Sequence, residues 1–313
     1  MDYRPLGANA GTGLVPTPKR PVMEFREDGM TDWAAALTYY GLLALFPALI
    51  ALVSVVGIFG DPVTTTRKLT DIVTSMGPRT AARTFEGPIR SITSSRGTAG
   101  ILFVAGLAAA LWSASGYVGA FMRASNVIYE TPEGRPFWKL RPLQIVVTLA
   151  MVLLLALLAL ALVLTGPVVD RIARPLGISG TATTVWDVAK WPVMVVVVLL
   201  MIAVLFHAAP NVKLPGFKWV TPGAVLALVA WVVASAAFAF YVANFGSYDK
   251  TYGTLGGVVA LLVWLWIGNL ALLLGMELNA ERERSRELAE GVPGAERELQ
   301  LDARATPKRK RTT

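Results

Sequence analysis

The chain has no cysteine and a single histidine, His207, in 313 residues. Without thiols there are no disulfides, no zinc–thiolate sites, no iron–sulfur ligands and no cysteine nucleophile. One imidazole excludes any site that needs two. Charge is also scarce. Asp, Glu, Lys and Arg make up 16% of residues against about 25% in a soluble domain, while 54% are hydrophobic. The charges that exist are confined to short stretches, and long windows have none. No GxxxxGK[ST] phosphate loop occurs, so the chain has no motif for driving work with ATP. These absences lead to the expectation of a non-enzymatic protein without cofactor or metal.

What the chain does have is six apolar windows, at about 33–60, 97–122, 142–169, 191–209, 219–248 and 251–277, without an Asp, Glu, Lys or Arg until Glu277 at the end of the last. A bilayer core is crossed by roughly 20 apolar residues in a helix, and no water is present there to satisfy an irregular backbone. The expected fold is all-α: a polytopic integral membrane protein with six transmembrane helices. Residues 31–280 form the membrane domain. Residues 1–30, rich in Pro and Gly, are expected as a disordered N-tail, and 281–313 as a charged C-tail. Between the first two windows, Leu69, Ile72, Val73 and Met76 fall at helical spacing, as do Ala81, Phe85, Ile89 and Ile92 after the Gly77-Pro78 break. Two short amphipathic helices are predicted in this first outer loop.

Lys and Arg set the orientation. An even number of spans puts both ends of the chain on one side. That side and its loops hold 19 of the basic residues, against 10 in the opposite loops. The termini are therefore expected in the cytoplasm, with the chain in the cell (inner) membrane. The net charge of +8 then fits loops facing an anionic leaflet rather than nucleic acid. Membrane lipids are the expected partners, with a second copy of the chain or other envelope proteins as further candidates.

Few polar residues interrupt the windows, and intramembrane polar groups tend to line an interior. On the first helix Asp32, Tyr39 and Tyr40 share a face with Pro47, where a kink is expected. On the last, Asn269 lies deep and Glu277 lies near the inner boundary. These five polar residues, Asp32, Tyr39, Tyr40, Asn269 and Glu277, are the candidate lining of a polar path, with Arg123 a candidate partner for Glu277. Ser113, Ser115 and Gly116 on the second helix, and Gly253 and Gly257 on the last, are candidate helix-packing positions. The alternative reading of the same residues is ordinary: a helix cap, packed phenols and close helix contacts.

The stretch YGTLGGVVALLVWLWIGNLALLLGMELNAE at 252–281 resembles the last-helix signature of the YihY/BrkB family of inner-membrane proteins. DWAAALTYYGLLALFPALIALVSVVGIFG resembles that family's opening segment. LWSASG, RPFWKLR and the PNVK…W…TPG turn fit in order. The resemblance covers about residues 25–284. It implies six transmembrane helices with cytoplasmic termini, and it carries no agreed catalytic residues. Members have historically been mislabelled ribonuclease BN. The reading is a transporter, or an accessory to transport, of a lipid, an envelope component or a small solute. The alternative is a structural protein that organises envelope machinery. A tRNA-processing ribonuclease is the third reading, and it is poorly served by a chain with one histidine.

Overall fold

A computed structural model of the chain describes residues 20–59, 99–163, 180–244 and 254–307. Seven helices follow in order: α1 (Arg20–Glu27), α2 (Met30–Phe59), α3 (Ala99–Ile128), α4 (Phe137–Val163), α5 (Gly180–Ala208), α6 (Pro222–Asn244) and α7 (Thr254–Ala289). Among the described residues there is no strand, only an isolated antiparallel bridge between Val212 and Ala303. Among the described residues four helices are long and apolar enough to cross a membrane: Phe137–Leu162, Val185–Ala208, Pro222–Val242 and Gly256–Ala289. The two amphipathic helices expected at 61–96 lie outside the described residues.

The helices outrun the apolar windows because helices stop at caps, not where apolarity ends. α3 continues to Ile128, past Arg123. There it closes with Glu130 N donating to Val127 O and Thr131 N to Asn126 O, both at 2.9 Å. This is a Schellman ending, with Glu130 in the left-handed position (φ 50°) that usually takes glycine. α7 closes in the same way at Gly291 (φ 70°), with Val292 N donating to Glu287 O at 2.9 Å. α6 begins at Pro222, whose missing N–H costs nothing in a first turn, and the Thr221 hydroxyl accepts from Ala224 N at 3.1 Å.

α7 is the hub, in contact with α1, α2, α3 and α6. Its closest neighbour is α6. A Cβ on Gly275 would collide with the backbone oxygen of Gly223, and one on Gly223 with that of Gly275. The two backbones therefore cross in near contact, as small residues permit in membranes. The core between the helices is apolar: Leu37, Phe121, Met122, Leu273 and Met276 are all buried, and Phe121 stacks on Phe206 with ring centroids 6.4 Å apart. The outer faces are apolar as well. Val146, Leu149, Leu153, Leu157 and Leu160 of α4 are exposed, as are Val229 and Val233 of α6. Water tolerates no such surface on a monomer of this size, and hydrocarbon does.

The start of α2, the end of α3, the start of α4, the end of α5, the start of α6 and the end of α7 gather at one end of the bundle, termed the basal end. Beyond α7 the chain turns at Gly291 and Gly294, both at positive φ, and residues 299–305 run back across this end as a strap.

Candidate functional site

Two polar groups are built into the apolar bundle, and a third network closes the basal end. The first group joins α2, α3 and α7. Asn269 Nδ2 donates to Thr38 Oγ1 at 3.1 Å, and Tyr117 OH donates to Asn269 Oδ1 at 2.8 Å. Thr38 in turn donates to Ala34 O at 2.8 Å. Asn269 and Thr38 are 5% and 6% exposed, so the chain of hydrogen bonds satisfies groups that hydrocarbon would leave bare. Helix contacts of glycine against tyrosine hold α2 to α3 here: Tyr117 lies over Gly41, and Tyr40 over Gly116.

The second group is Glu277, eight residues further along α7, or about 12 Å along the axis. Leu273 and Met276, both fully buried, stand between. Glu277 is 4% exposed, and its Oε2 meets no hydrogen-bond partner among the described residues. The charges in range of it are Asp28 and Glu24 from the α1 end, Glu281 and Arg284. α1 thus brings carboxylates against the carboxylates of α7, with one guanidinium among them. Asp28, at the α1–α2 corner, shows the consequence. Burial, then the Glu24, Glu130 and Glu27 charges, push its carboxyl up to about 7, against a smaller opposing pull from Arg284.

The basal network is centred on Asn211, which is fully buried. Its backbone N donates to Asn126 Oδ1 at 2.7 Å. Its Nδ2 donates to Pro132 O at 2.9 Å and Ala305 O at 2.8 Å. Asn126 donates to Glu133 at 2.9 Å, and Glu133 pairs with Arg135 at 2.7 Å. Burial would raise the Glu133 carboxyl, but the Arg135 side-chain and backbone bonds and Asn126 outweigh it and hold it below its ordinary value. The C-terminus of α5 receives two guanidinium groups. Arg135 donates to Ala209 O at 2.9 Å, and Arg304 of the strap donates to His207 O at 2.7 Å and Val212 O at 2.8 Å. Cations suit the negative end of a helix dipole. Burial, and then the neighbouring Arg135, lower the Arg304 value. Glu130 links the remaining pieces, accepting from Arg284 Nη2 at 2.9 Å and Leu299 N at 2.8 Å.

The residues singled out from the sequence are distributed as follows. Asn269 and Glu277 are both interior on α7, on different turns. Tyr40 is half-buried against Gly116. Asp32 and Tyr39 are exposed, and Tyr39 meets Tyr40 edge to face at 5.5 Å. Pro47 stands within α2. Arg123 lies over the Tyr40 ring, 5.6 Å from its centroid, whereas the guanidinium in range of Glu277 is that of Arg284. Ser113 is exposed, and Ser115 is buried with its hydroxyl on Trp112 O at 2.6 Å. Gly257 faces open space, and Gly253 lies outside the described residues. Thr38, Tyr117, Asn211 and Arg304 were not singled out. Apart from Ala34 O, which Thr38 meets locally, their hydrogen-bond partners are 79 or more positions distant in the chain, and only the helix arrangement pairs them.

Apolar helices of spanning length, outer faces suited to lipid and a small-residue helix crossing define a multi-pass membrane protein. A family profile described as Virulence factor BrkB matches residues 22–300, and the chain belongs to that family. The ribonuclease-like protein YfkH of Bacillus subtilis (strain 168) is 34% identical over 261 residues, covering 83% of this chain and 92% of YfkH. A UPF0761 membrane protein of Stenotrophomonas maltophilia (strain R551-3) is 30% identical over 267 residues, 82% of this chain and 58% of the relative. Another, from Alkalilimnicola ehrlichii, is 29% identical over 256 residues and is covered over 55% of its length. The chain thus spans nearly all of YfkH but little more than half of these UPF0761 relatives. No solved structure matches it.

Proposed function

We propose that the protein is a cell-membrane transporter, or an accessory to one, for a lipid, an envelope component or a small solute. In this reading α2 to α7 are six spans, with the basal end and both ends of the chain in the cytoplasm. The observation that carries it is a membrane bundle with polar side chains buried in its interior. The Thr38–Asn269–Tyr117 chain ties three helices together in the interior, and Glu277 presents an unpaired buried oxygen two turns away. Polar groups at such depth are costly and mark substrate or ion pathways in membrane proteins. Supporting the span count, α2 and α3 are each 30 residues long, about 45 Å. Supporting the orientation, most basic residues fall on the basal side.

The absence of cysteine makes the test clean. Single substitutions Thr38→Cys, Tyr117→Cys, Asn269→Cys and Glu277→Cys are treated with a membrane-impermeant maleimide from either face of sealed vesicles. A path predicts labelling of Glu277→Cys from the cytoplasmic side and of at least one interior position from some side. Four unreactive positions from both sides would reject transport. They would favour the alternative, a protein that organises envelope machinery through its outer helix faces, such as the open flank at Gly257.

A further inference from the structure

A separate feature lies on the wall of the bundle. Trp112, Gly116, Gly119 and Arg123 are three or four residues apart and share one face of α3. Trp112 and Arg123 are exposed at its two ends. Between them the two glycines let neighbouring side chains pack close. Tyr40 of α2 lies 3.6 Å from where a Gly116 Cβ would stand, and Gln144 of α4 fills the space at Gly119, 3.0 Å from its Cβ position. Two guanidinium groups flank this packed face. Arg123 lies over the Tyr40 ring at 5.6 Å. Arg141 lies over Trp112 at 4.8 Å and Phe137 at 5.8 Å, and donates to Ser115 Oγ at 3.3 Å and Gln144 Oε1 at 3.1 Å. Arg141 thus reaches Ser115 directly, while Arg123 lies on the Tyr40 ring that packs over Gly116, the next residue of α3.

Their partners set these arginines apart. Arg135, Arg284 and Arg286 each pair with a carboxylate. Arg123 and Arg141 have none within ion-pair distance among the described residues, only aromatic faces and neutral oxygens. Two uncompensated guanidinium groups on the flank of a membrane bundle call for an anion that arrives from the side. The exposed aromatics beside them, Trp112, Phe137 and Trp138, are of the kind that sits at the level of lipid headgroups. Guanidinium groups match phosphate oxygens in pairs.

We propose that Arg123 and Arg141 hold the phosphate of an anionic phospholipid, with Trp112 and Phe137 against the apolar part of the same lipid. The site is distinct from the Thr38–Asn269–Tyr117 interior and stands or falls independently of the transport reading.

The test is native mass spectrometry of the purified full-length protein with equimolar phosphatidylglycerol and phosphatidylcholine. Phosphatidylglycerol is retained preferentially. The double variant Arg123→Gln/Arg141→Gln loses that preference by about tenfold, or about 1.4 kcal/mol. Lys218→Gln, an exposed basic position elsewhere at the basal end, keeps it. Inorganic phosphate does not displace the lipid. Equal retention of both lipids, an equal loss in Lys218→Gln, or displacement by inorganic phosphate overturns the proposal; the last would assign the site to a soluble phosphate. Should the double variant fail to fold, a photoactivatable phosphatidylglycerol added to the unmodified protein gives the answer. Adducts concentrate in 112–123 and 137–144 if the site exists, and spread evenly over the helices if it does not.

Discussion

Asn211→Ala isolates what holds the strap to the basal end. The substitution removes two bonds donated by Nδ2, to Pro132 O at 2.9 Å and Ala305 O at 2.8 Å, and one accepted by Oδ1 from Ala305 N at 3.2 Å. Only the two bonds to Ala305 tie Asn211 to the strap, and at about 1 kcal/mol net each their loss is about 2 kcal/mol, or roughly thirtyfold in an opening equilibrium. The backbone bonds of Lys213 N to Asp302 O and Arg304 N to Asn211 O, both at 2.8 Å, survive, as do those of the Arg304 side chain. The loss therefore appears as local opening of 302–306, not as global unfolding. Amide hydrogen exchange in a lipid nanodisc measures it: exchange of the strap rises about thirtyfold, while the buried turns of α7 around Leu273 and Met276 are unchanged. Lys213→Ala is the matched control. Its ion pair with Asp302 spans 3.4 Å with side chains 62% and 80% exposed, and such a pair contributes about 0–1 kcal/mol. If strap exchange in Asn211→Ala stays within a factor of about three of the parent, or if Lys213→Ala matches it, the strap is not held as described.

Three further outcomes are expected. Glu130 holds a left-handed conformation (φ 50°) that costs a non-glycine residue about 1–2 kcal/mol, and it gives Arg284 and Leu299 their partner. Glu130→Gly and Glu130→Ala lose the same contacts, but only the glycine relieves the strain. The alanine variant should unfold first in thermal melts by about 1 kcal/mol, and the opposite order would refute the argument. Gly275→Ala places a methyl against Gly223 O and Ala227 Cβ, the latter at 2.7 Å, and should destabilise by about 1–3 kcal/mol. Gly257→Ala enters open space and should be neutral or stabilising by up to about 1 kcal/mol; equal melting temperatures would argue against the α6–α7 crossing. Asp28 is raised from 3.8 to about 7, so the folded state prefers it protonated. Its contribution is full below 3.8 and is lost as pH rises through about 7. Exchange of the α1 amides, corrected for intrinsic rate, should rise across that window, and Asp28→Asn should flatten the rise. An unaltered pH profile in that variant would show that Asp28 is not responsible.

The helices were legible because lipid leaves an apolar chain few alternatives. The windows at 142–169 and 191–209 correspond to α4 and α5, but α4 begins at Phe137 and takes in Lys139 and Arg141. α7 runs to Ala289, twelve residues past the window's end. A window records where hydrocarbon is tolerated, while a helix records where the next cap falls. The path from Glu283 to Glu290 is continued by i,i+3 and i,i+4 ion pairs through Arg286 that hydropathy cannot register.

The polar residues were legible individually and not as groups. Asn269 stands out because an amide among leucines needs a partner, but nothing local names Thr38, 231 positions away, or Tyr117, 152 away. Tyr117 reads as one more apolar-window aromatic until its hydroxyl is seen to be the donor. Arg123 and Glu277 have complementary charge and matching depth, which is all that sequence offers for pairing them. Geometry sends Arg123 onto Tyr40 of α2, and brings Arg284 into range of Glu277 from a later turn of α7. Charge and depth fix two of the three coordinates of a side chain in a bundle. The third, the angle around the helix axis, is set by which neighbour each helix touches, and in this protein it separates Arg123, on the Tyr40 ring, from an acidic cluster facing α1.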